Sequence, residues 1–530
     1  MSSASLIASS ALVLVVTAFI ARWIRSWCRL RHIPGPPIAS LSAAWMLQKL
    51  CTGDFNEALI QVAETHGPLA RIGPNDLLCT DPDTLRRVAG ARSVYIKGDF
   101  YETGRVVPGY NNIVSERDET KHKALRAAMA GGYLGRETGS LAGIEACLDR
   151  QLRAFIALIE TKYISEPGTI RPLDFAIKSQ FFALDVISEL SFGRAFGFLV
   201  EDRDLYDYVK INESAIPVMN TIQAIPWITN ALYSWPLRLG LPSTGDKVGL
   251  GRLMGLAKHY VDERFGPGAK VGQDMLQAFI NGGMSHEDLI QHMFVQIVAG
   301  SITIAAAIRH TFLALISTPT AYSALQAEID VNIASGKISS PTITEAEAHN
   351  LVYLQAVIHE GLRMWPPATG LGSKQVPPEG DFICGFRVPG GTQVATNFMG
   401  IMRLKSIWGE DANVFRPERW VEADDAQRQR MASVLDLAFG SGKYQCLGKR
   451  VAMMELDKVF VELLRRFDFA LTDPVHPIKS FGGNFWVGSD MWLRVTCRSP
   501  TPVANRGALS GSETCSPTTL AGHPREEKDG

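Results

Sequence analysis

Cys446 stands in the stretch Phe439-Gly440-Ser441-Gly442-Lys443-Tyr444-Gln445-Cys446-Leu447-Gly448. A cysteine that ligates a metal must be deprotonated, shielded from solvent and approached by backbone amides that stabilise the sulfur charge. Gly440, Gly442 and Gly448 allow sharp turns and close contact with a flat macrocycle, and from Leu447 the chain reads as a helix whose first amides point back at the sulfur. Phe439 is placed to wall the sulfur off. The bland alternative is a buried structural cysteine in a glycine-rich turn.

Three further groups of residues have spacing that suits chemistry. Glu360 and Arg363 are three apart in a helical pattern, so carboxylate and guanidinium share a face, and Phe415-Arg416-Pro417-Glu418-Arg419-Trp420 follows. Ala299-Gly300-Ser301-Ile302-Thr303 lies midway along a long apolar segment, where a threonine ordinarily packs or bonds the carbonyl four residues back. His122 and Arg126, four apart, put two cations on one helix face, well suited to two carboxylates.

In this chain order the motifs resemble those of the cytochrome P-450 monooxygenases: the F-x-x-G-x-x-x-C-x-G loop, the helix-borne E-x-x-R, the P-E-R-F segment, the A/G-G-x-D/E-T turn and the W/H-x-x-x-R pair. The resemblance runs from the proline-rich stretch at 33–37 to about Arg498, and the wording of the loop is most like fungal secondary-metabolism members. It implies a mainly α fold, a large helical domain with a small β-rich subdomain. Cys446 becomes the axial ligand of a haem b iron, with Phe439, Gly440 and Gly448 shaping its loop. His122, Arg126 and, by position, Lys97 and Lys374 become partners of the haem propionates. Thr303 is implied to hydrogen-bond bound dioxygen, with Ala299 and Gly300 leaving it room. Glu360, Arg363 and Arg419 are implied to form a buried scaffold.

Substrate contacts are implied at 100–118, around Ile302, at 368–372 and at 481–486, with Ile302, Ala368 and Phe485 as pocket residues. These stretches are largely apolar and suit a lipophilic terpenoid, polyketide or alkaloid. The implied reaction inserts one atom of O2, the thiolate favouring O–O cleavage. No nicotinamide or flavin motif is apparent, so the electrons are implied to come from an NADPH–cytochrome P-450 reductase.

Two residues depart from the pattern. Ile302 stands where the family usually has an acid, and Tyr444 where the loop usually has an arginine for a propionate. Tyrosine donates one neutral hydrogen bond and cannot offer a bidentate charge pair. Ile302 keeps open a redox-neutral haem-thiolate isomerase or dehydratase, and a non-enzymatic haem-binding protein is the third reading.

The elements that must position these residues are mostly helical. Period-3.6 patterns cover 142–159, 181–190, 289–317 and 451–467, and short strands are expected at 69–72, 385–388 and 492–496. The longest helix should be capped by Ser285 and stop at Pro319; its roughly 30 residues span about 45 Å, so it must cross the core. The segment 216–241, apolar but broken by Pro217, Pro226, Pro236 and Gly240, is expected either to be buried or to dip into a membrane surface.

Residues 6–21 are almost wholly apolar, and Arg22, Arg25, Arg29 and Arg31 follow them. Residues 1–32 therefore read as a single membrane anchor with the remainder in the cytosol, most simply at the endoplasmic reticulum. The prolines of 33–37 form a stiff hinge, 38–498 the catalytic domain, and 499–530 a tail of disordered composition. Fifty-three basic against 54 acidic residues leave no field for nucleic acid, and the eight cysteines contain no C-x-x-C pair for a zinc site. An isoleucine cannot relay a proton. With reductase supplied, NADPH consumption should therefore exceed product formed; a one-to-one match would overturn that expectation.

Overall fold

The computed structural model describes Thr17, Ala21 and residues 24–137, 140–223, 226–266 and 268–498. The apolar part of the expected anchor, Thr17 and Ala21 apart, and the tail from 499 lie outside the described residues. The principal helices are α1 (Ala44–Thr52), α2 (Phe55–His66), α3 (Glu119–Tyr133), α4 (Leu141–Leu158), α5 (Phe175–Phe192), α6 (Tyr208–Gln223), α7 (Gly249–Asp262), α8 (His286–Ile316), α9 (Pro319–Ala334), α10 (Val352–Met364) and α11 (Lys449–Leu464).

The strands are β1 (Leu69–Arg71), β2 (Asp76–Cys79), β3 (Ile96–Lys97), β4 (Leu173–Asp174), β5 (Lys374–Gln375), β6 (Asp381–Ile383), β7 (Phe386–Val388), β8 (Gln393–Thr396), β9 (Phe467–Leu471), β10 (Lys479–Phe481), β11 (Val487–Ser489) and β12 (Trp492–Cys497). They form a five-stranded sheet in the order β1-β2-β8-β5-β3, a three-stranded sheet β4-β12-β9, and the pairs β10-β11 and β6-β7. Among the strand pairings of the described residues only β2–β8 is parallel, beside an isolated parallel bridge between Ile164 and Val495.

The architecture is thus mainly helical, with a β-rich subdomain beside the bundle. All four helices expected from periodicity are present as α4, α5, α8 and α11, with boundaries shifted by a few residues, and the three expected strands are β1, β7 and β12.

Helix α8 is the axis of the bundle. Ser285 caps it, accepting from the Asp288 amide, and Pro319 opens the next helix as its first residue because it lacks the N–H that would continue α8. By length and composition α8 is the one helix among the described residues able to cross a membrane, but 67% of its most apolar window is buried inside the fold. It is a core helix. Phe312 on α8 stacks on Phe175 of α5 at 4.4 Å and meets Phe469 of β9 edge-on at 4.9 Å.

Two glycines set how closely its neighbours approach. A Cβ at Gly300 would lie 2.6 Å from Ile187 of α5, and a Cβ at Gly361 of α10 would lie 2.0 Å from the Thr311 hydroxyl on α8. The missing side chain at Gly300 thus admits α5.

The Glu360 carboxylate pins α10 to the segment after it. Arg363 donates to both its oxygens at 2.9 and 2.8 Å, Arg419 Nε to Oε1 at 2.9 Å, the Arg416 amide to Oε1 at 2.9 Å and Trp420 Nε1 to Oε2 at 3.0 Å. Burial opposes its charge, but Arg363 and then Arg419 hold the carboxyl below its ordinary range. Arg363 also donates to the carbonyls of Met402 and Ala412, both at 2.7 Å.

The proline-rich stretch is docked onto the sheet. The Arg71 amide donates to Pro34 O at 2.7 Å, and the buried Arg71 side chain donates to the carbonyls of Ser26 and Trp27. Segment 216–241 divides: Ile216 and Asn220 are buried, while Trp235 and Leu239 are 73% and 76% exposed.

Replacing a mid-helix glycine by alanine ordinarily stabilises a helix by about 1 kcal/mol. At Gly361 the sign should reverse. Gly361→Ala is expected to cost about 1–3 kcal/mol through overpacking against Thr311, read as a lowered denaturation midpoint.

Candidate functional site

The cysteine loop follows a 3-10 turn, Asp436–Phe439. Gly440 and Gly442 have φ of 75° and 56°, and a Cβ would sit 2.7 Å from Tyr444 O in one case and 2.4 Å from Ala89 O in the other. Both positions require glycine. Gly448 does not, since a Cβ there would make ordinary contacts of 3.7 Å with Tyr133 and 3.8 Å with the Cys446 sulfur. The Cys446 amide donates to Phe439 O at 2.7 Å, closing the loop, and the Phe439 ring lies under Lys449.

Cys446 keeps accessible surface, yet enough protein surrounds its sulfur that burial raises the thiol pKa, so it lies at the floor of a recess. The amides of Gly448 and Lys449, at the start of α11, and the charge of Arg126 pull the other way and support a thiolate. Arg126 Nη1 also donates to Gln445 O at 2.7 Å.

Beside this loop positive charge accumulates. Burial, followed by the charges of Lys97, Arg126, Lys374 and Lys443, pushes the His122 imidazole down to about 3. Burial also lowers Lys97 to about 7 and holds Lys374 well below the ordinary lysine value. Lys97 donates to Ile113 O and Val114 O at 2.7 and 2.9 Å; Lys374 donates to the Tyr101 hydroxyl at 2.7 Å and lies 3.9 Å from the centre of the Tyr444 ring. Neither lysine makes an ion pair among the described residues. Glu119 answers the outer edge, bound by Lys443 at 3.0 Å and by the Tyr444 hydroxyl.

A cavity of about 250 Å³ runs from Gly440 and Tyr444 past Lys374 to Ala368 and Phe485. A thiol flanked by two amides, buried cations short of anions and an adjoining hollow fit a flat group carrying an iron and two carboxylates.

On α8, Ala299 is exposed and Thr303 half-buried, and the Thr303 hydroxyl donates to Ala299 O at 2.7 Å. Ile302 faces elsewhere. It lines a separate hollow of about 20 Å³ with Gln180, Asn212, Glu213 and Arg309, so the structure does not bring it together with Ala368 and Phe485. Ala368 and Phe485 are paired through an isolated β-bridge.

Residues 34–489 match the family model described as Cytochrome P450. The chain belongs to this family. It is 41% identical over 92% of its length to "Cytochrome P450 monooxygenase ABA1" of Pyricularia oryzae, 97% of which is covered. It is 38% identical over 88% of its length to "Cytochrome P450 monooxygenase aba1" of Botryotinia fuckeliana, 92% of which is covered. The crystal structure of the cytochrome P450DA heme domain shares the fold, with a TM-score of 0.69 over 88% of this chain and 98% of that one at 19% identity.

This P-450 is therefore a monooxygenase, and the family implies a haem-thiolate iron. Sequence reasoning missed Tyr101 and Glu119 as members of the cationic region of the P-450. Glu119 carried a signal, since it stands three residues before His122 on α3 and so shares its face. Tyr101 carried none, because the main chain between α2 and α3 alone brings it to Lys374.

Lys374→Met should weaken retention of a dicarboxylate porphyrin by about 1.5–3 kcal/mol, roughly ten- to hundredfold, if one charge-assisted hydrogen bond is lost. Transfer of haem from the variant to an acceptor protein measures this.

Proposed function

We propose that this monooxygenase acts on a lipophilic small molecule of fungal secondary metabolism, such as a terpenoid, polyketide or alkaloid, and takes its electrons from an NADPH–cytochrome P-450 reductase docked on the Cys446 side. The observation that carries this reading is the Cys446 thiol in the glycine-shaped loop just before α11, beside buried Lys97 and Lys374, which make no ion pair among the described residues. The relatives, fungal P-450 monooxygenases by name, support the same class.

Bound haem b supplies the iron that activates dioxygen. Cys446 would hold that iron, with the amides of Gly448 and Lys449 favouring its thiolate. Lys97, Lys374, His122 and Arg126 would take the carboxylates of the group. Thr303 Oγ1, which donates to Ala299 O, would be the α8 hydroxyl that holds a proton beside the group, and Ile302 could not resupply it. Ala368 and Phe485 wall the substrate and exclude water.

The enzyme works at a membrane, most simply that of the endoplasmic reticulum, with its catalytic domain in the cytosol. The apolar run 6–21 followed by arginines supports an anchor. Exposed Trp235, Leu237 and Leu239 around Arg238 support a second contact with the bilayer surface.

The reduced, carbon monoxide-bound protein should show the strongly red-shifted main band that a thiolate ligand produces. Cys446→Ala should abolish it, and a band that survives that change overturns the assignment. Product formation that proceeds without reductase or electrons would instead identify a redox-neutral isomerase or dehydratase.

A further inference from the structure

The hairpin β6–β7 turns through two residues, since Ile383 pairs with Phe386 and only Cys384 and Gly385 lie between. Both have positive φ, 48° and 84°. Such a turn ordinarily takes Asn, Asp or Gly at its first position, because the left-handed region brings a Cβ against the following carbonyl. A cysteine there is a strained choice that the turn itself does not require.

Cys384 reaches a second cysteine. Cys79, the last residue of β2, is wholly buried, and the helix Pro82–Ala89 that follows it brings the two together. Cys79 Sγ lies 3.9 Å from Asp81 O, the Asp81 carboxylate caps the Thr84 amide at 2.8 Å, and Thr84 Oγ1 lies 4.0 Å from Cys384 Sγ. Both sulfurs thus sit on the same turn of chain, and the two thiols are within hydrogen-bonding reach of each other. The hairpin is held there by Arg87, which pairs with Asp381 at 2.6 Å and donates to Phe382 O at 3.3 Å, and by the Tyr95 hydroxyl, which donates to Asp381.

The two thiols differ as an attacking and a resolving thiol must. Cys384 keeps accessible surface and Cys79 has none. The hydrogen bond from the Cys79 thiol, aided by the Thr84 hydroxyl, outweighs burial and holds Cys384 below the ordinary thiol value, while the same contact and burial keep Cys79 protonated. An accessible thiol of lowered pKa beside a second thiol is the arrangement that peroxide oxidises selectively.

We propose that Cys384 and Cys79 form a redox-active dithiol that hydrogen peroxide converts to an intramolecular disulfide, clamping the β6–β7 hairpin to β2. The Cys384 thiolate attacks one oxygen of the peroxide; the O–O bond breaks, the sulfur becomes a sulfenic acid, and hydroxide leaves to become water with the proton the thiol gave up. Cys79 then attacks that sulfur; the S–S bond forms, the S–O bond breaks, and the hydroxyl leaves with the Cys79 proton as a second water. The two thiols lose two electrons and the peroxide gains them. A small dithiol reverses the step and is itself oxidised to a disulfide. The clamp braces the helix that carries Leu85, Val88 and Ala89 of the cavity wall.

The test treats the haem-loaded full chain, fully reduced, with hydrogen peroxide, blocks the remaining thiols with iodoacetamide and maps peptides by mass spectrometry without reductant. The peptide holding Cys79 should be recovered joined to that holding Cys384, and dithiothreitol should separate them. Cys384 should be consumed roughly tenfold or more faster than exposed Cys28 and Cys51. In Cys79→Ser the reaction should stop at a Cys384 sulfenic acid that dimedone traps. Cys384→Gly, which suits the positive φ, should leave Cys79 unoxidised, and it carries the test if Cys79→Ser fails to fold. Oxidation of Cys28 and Cys51 ahead of Cys384 overturns the proposal. So does a Cys384 sulfinic acid formed while Cys79 stays reduced, or oxidation of Cys79 in Cys384→Gly.

Discussion

One buried carboxylate holds the frame on which the site is built. Glu360 is wholly enclosed and accepts hydrogen bonds from two arginine side chains, an indole and a main-chain amide. Removing the carboxylate would leave Arg363 charged and without an acid partner in the interior, so the arrangement holds together as a unit. Through it α10, which packs on α8 at Gly361, is locked to the segment 402–420, and that segment leads into the turn and the cysteine loop. The distance between α8 and Cys446 therefore depends on a contact that does no chemistry.

Inside that frame the protein gathers basic groups whose charging is opposed by burial. Lys97, Lys374, Arg126 and Lys443 surround His122 and Tyr444, with Glu119 answering only the outer edge. Such a cluster opposes folding unless a dianion joins it, which couples uptake of the cofactor to the stability of the loop. Tyr444 takes part in this. Where the resemblance led to the expectation of an arginine, the neutral ring lies against Lys374 and its hydroxyl engages Glu119, so the basic groups here are lysines from β5 and the loop.

Much of this was legible in the sequence. Cys446 was marked by its glycines, and α3 by the four-residue spacing of His122 and Arg126, because both signals depend on neighbours along the chain. The long helix was equally plain, since a cap at Ser285 and a stop at Pro319 are local chemistry. Glu360 and Arg363 were read correctly as a pair on one face; that Arg419 closes on the same carboxylate came from the resemblance and not from spacing.

What the sequence by itself determined was the family and the order of the helices, carried by short spacings and by the period of apolar residues. The tertiary structure alone decided which way side chains on α8 face. Gly300 lies against Ile187 of α5, and Ile302 lines a small, mainly apolar hollow separate from the cavity of Ala368 and Phe485. It also decided that Gln223 and Asn484, which lie on segments far apart in the chain, meet in the wall of a cavity expected to be apolar. Periodicity records that a residue is buried, but what it is buried against is fixed by how the helices cross.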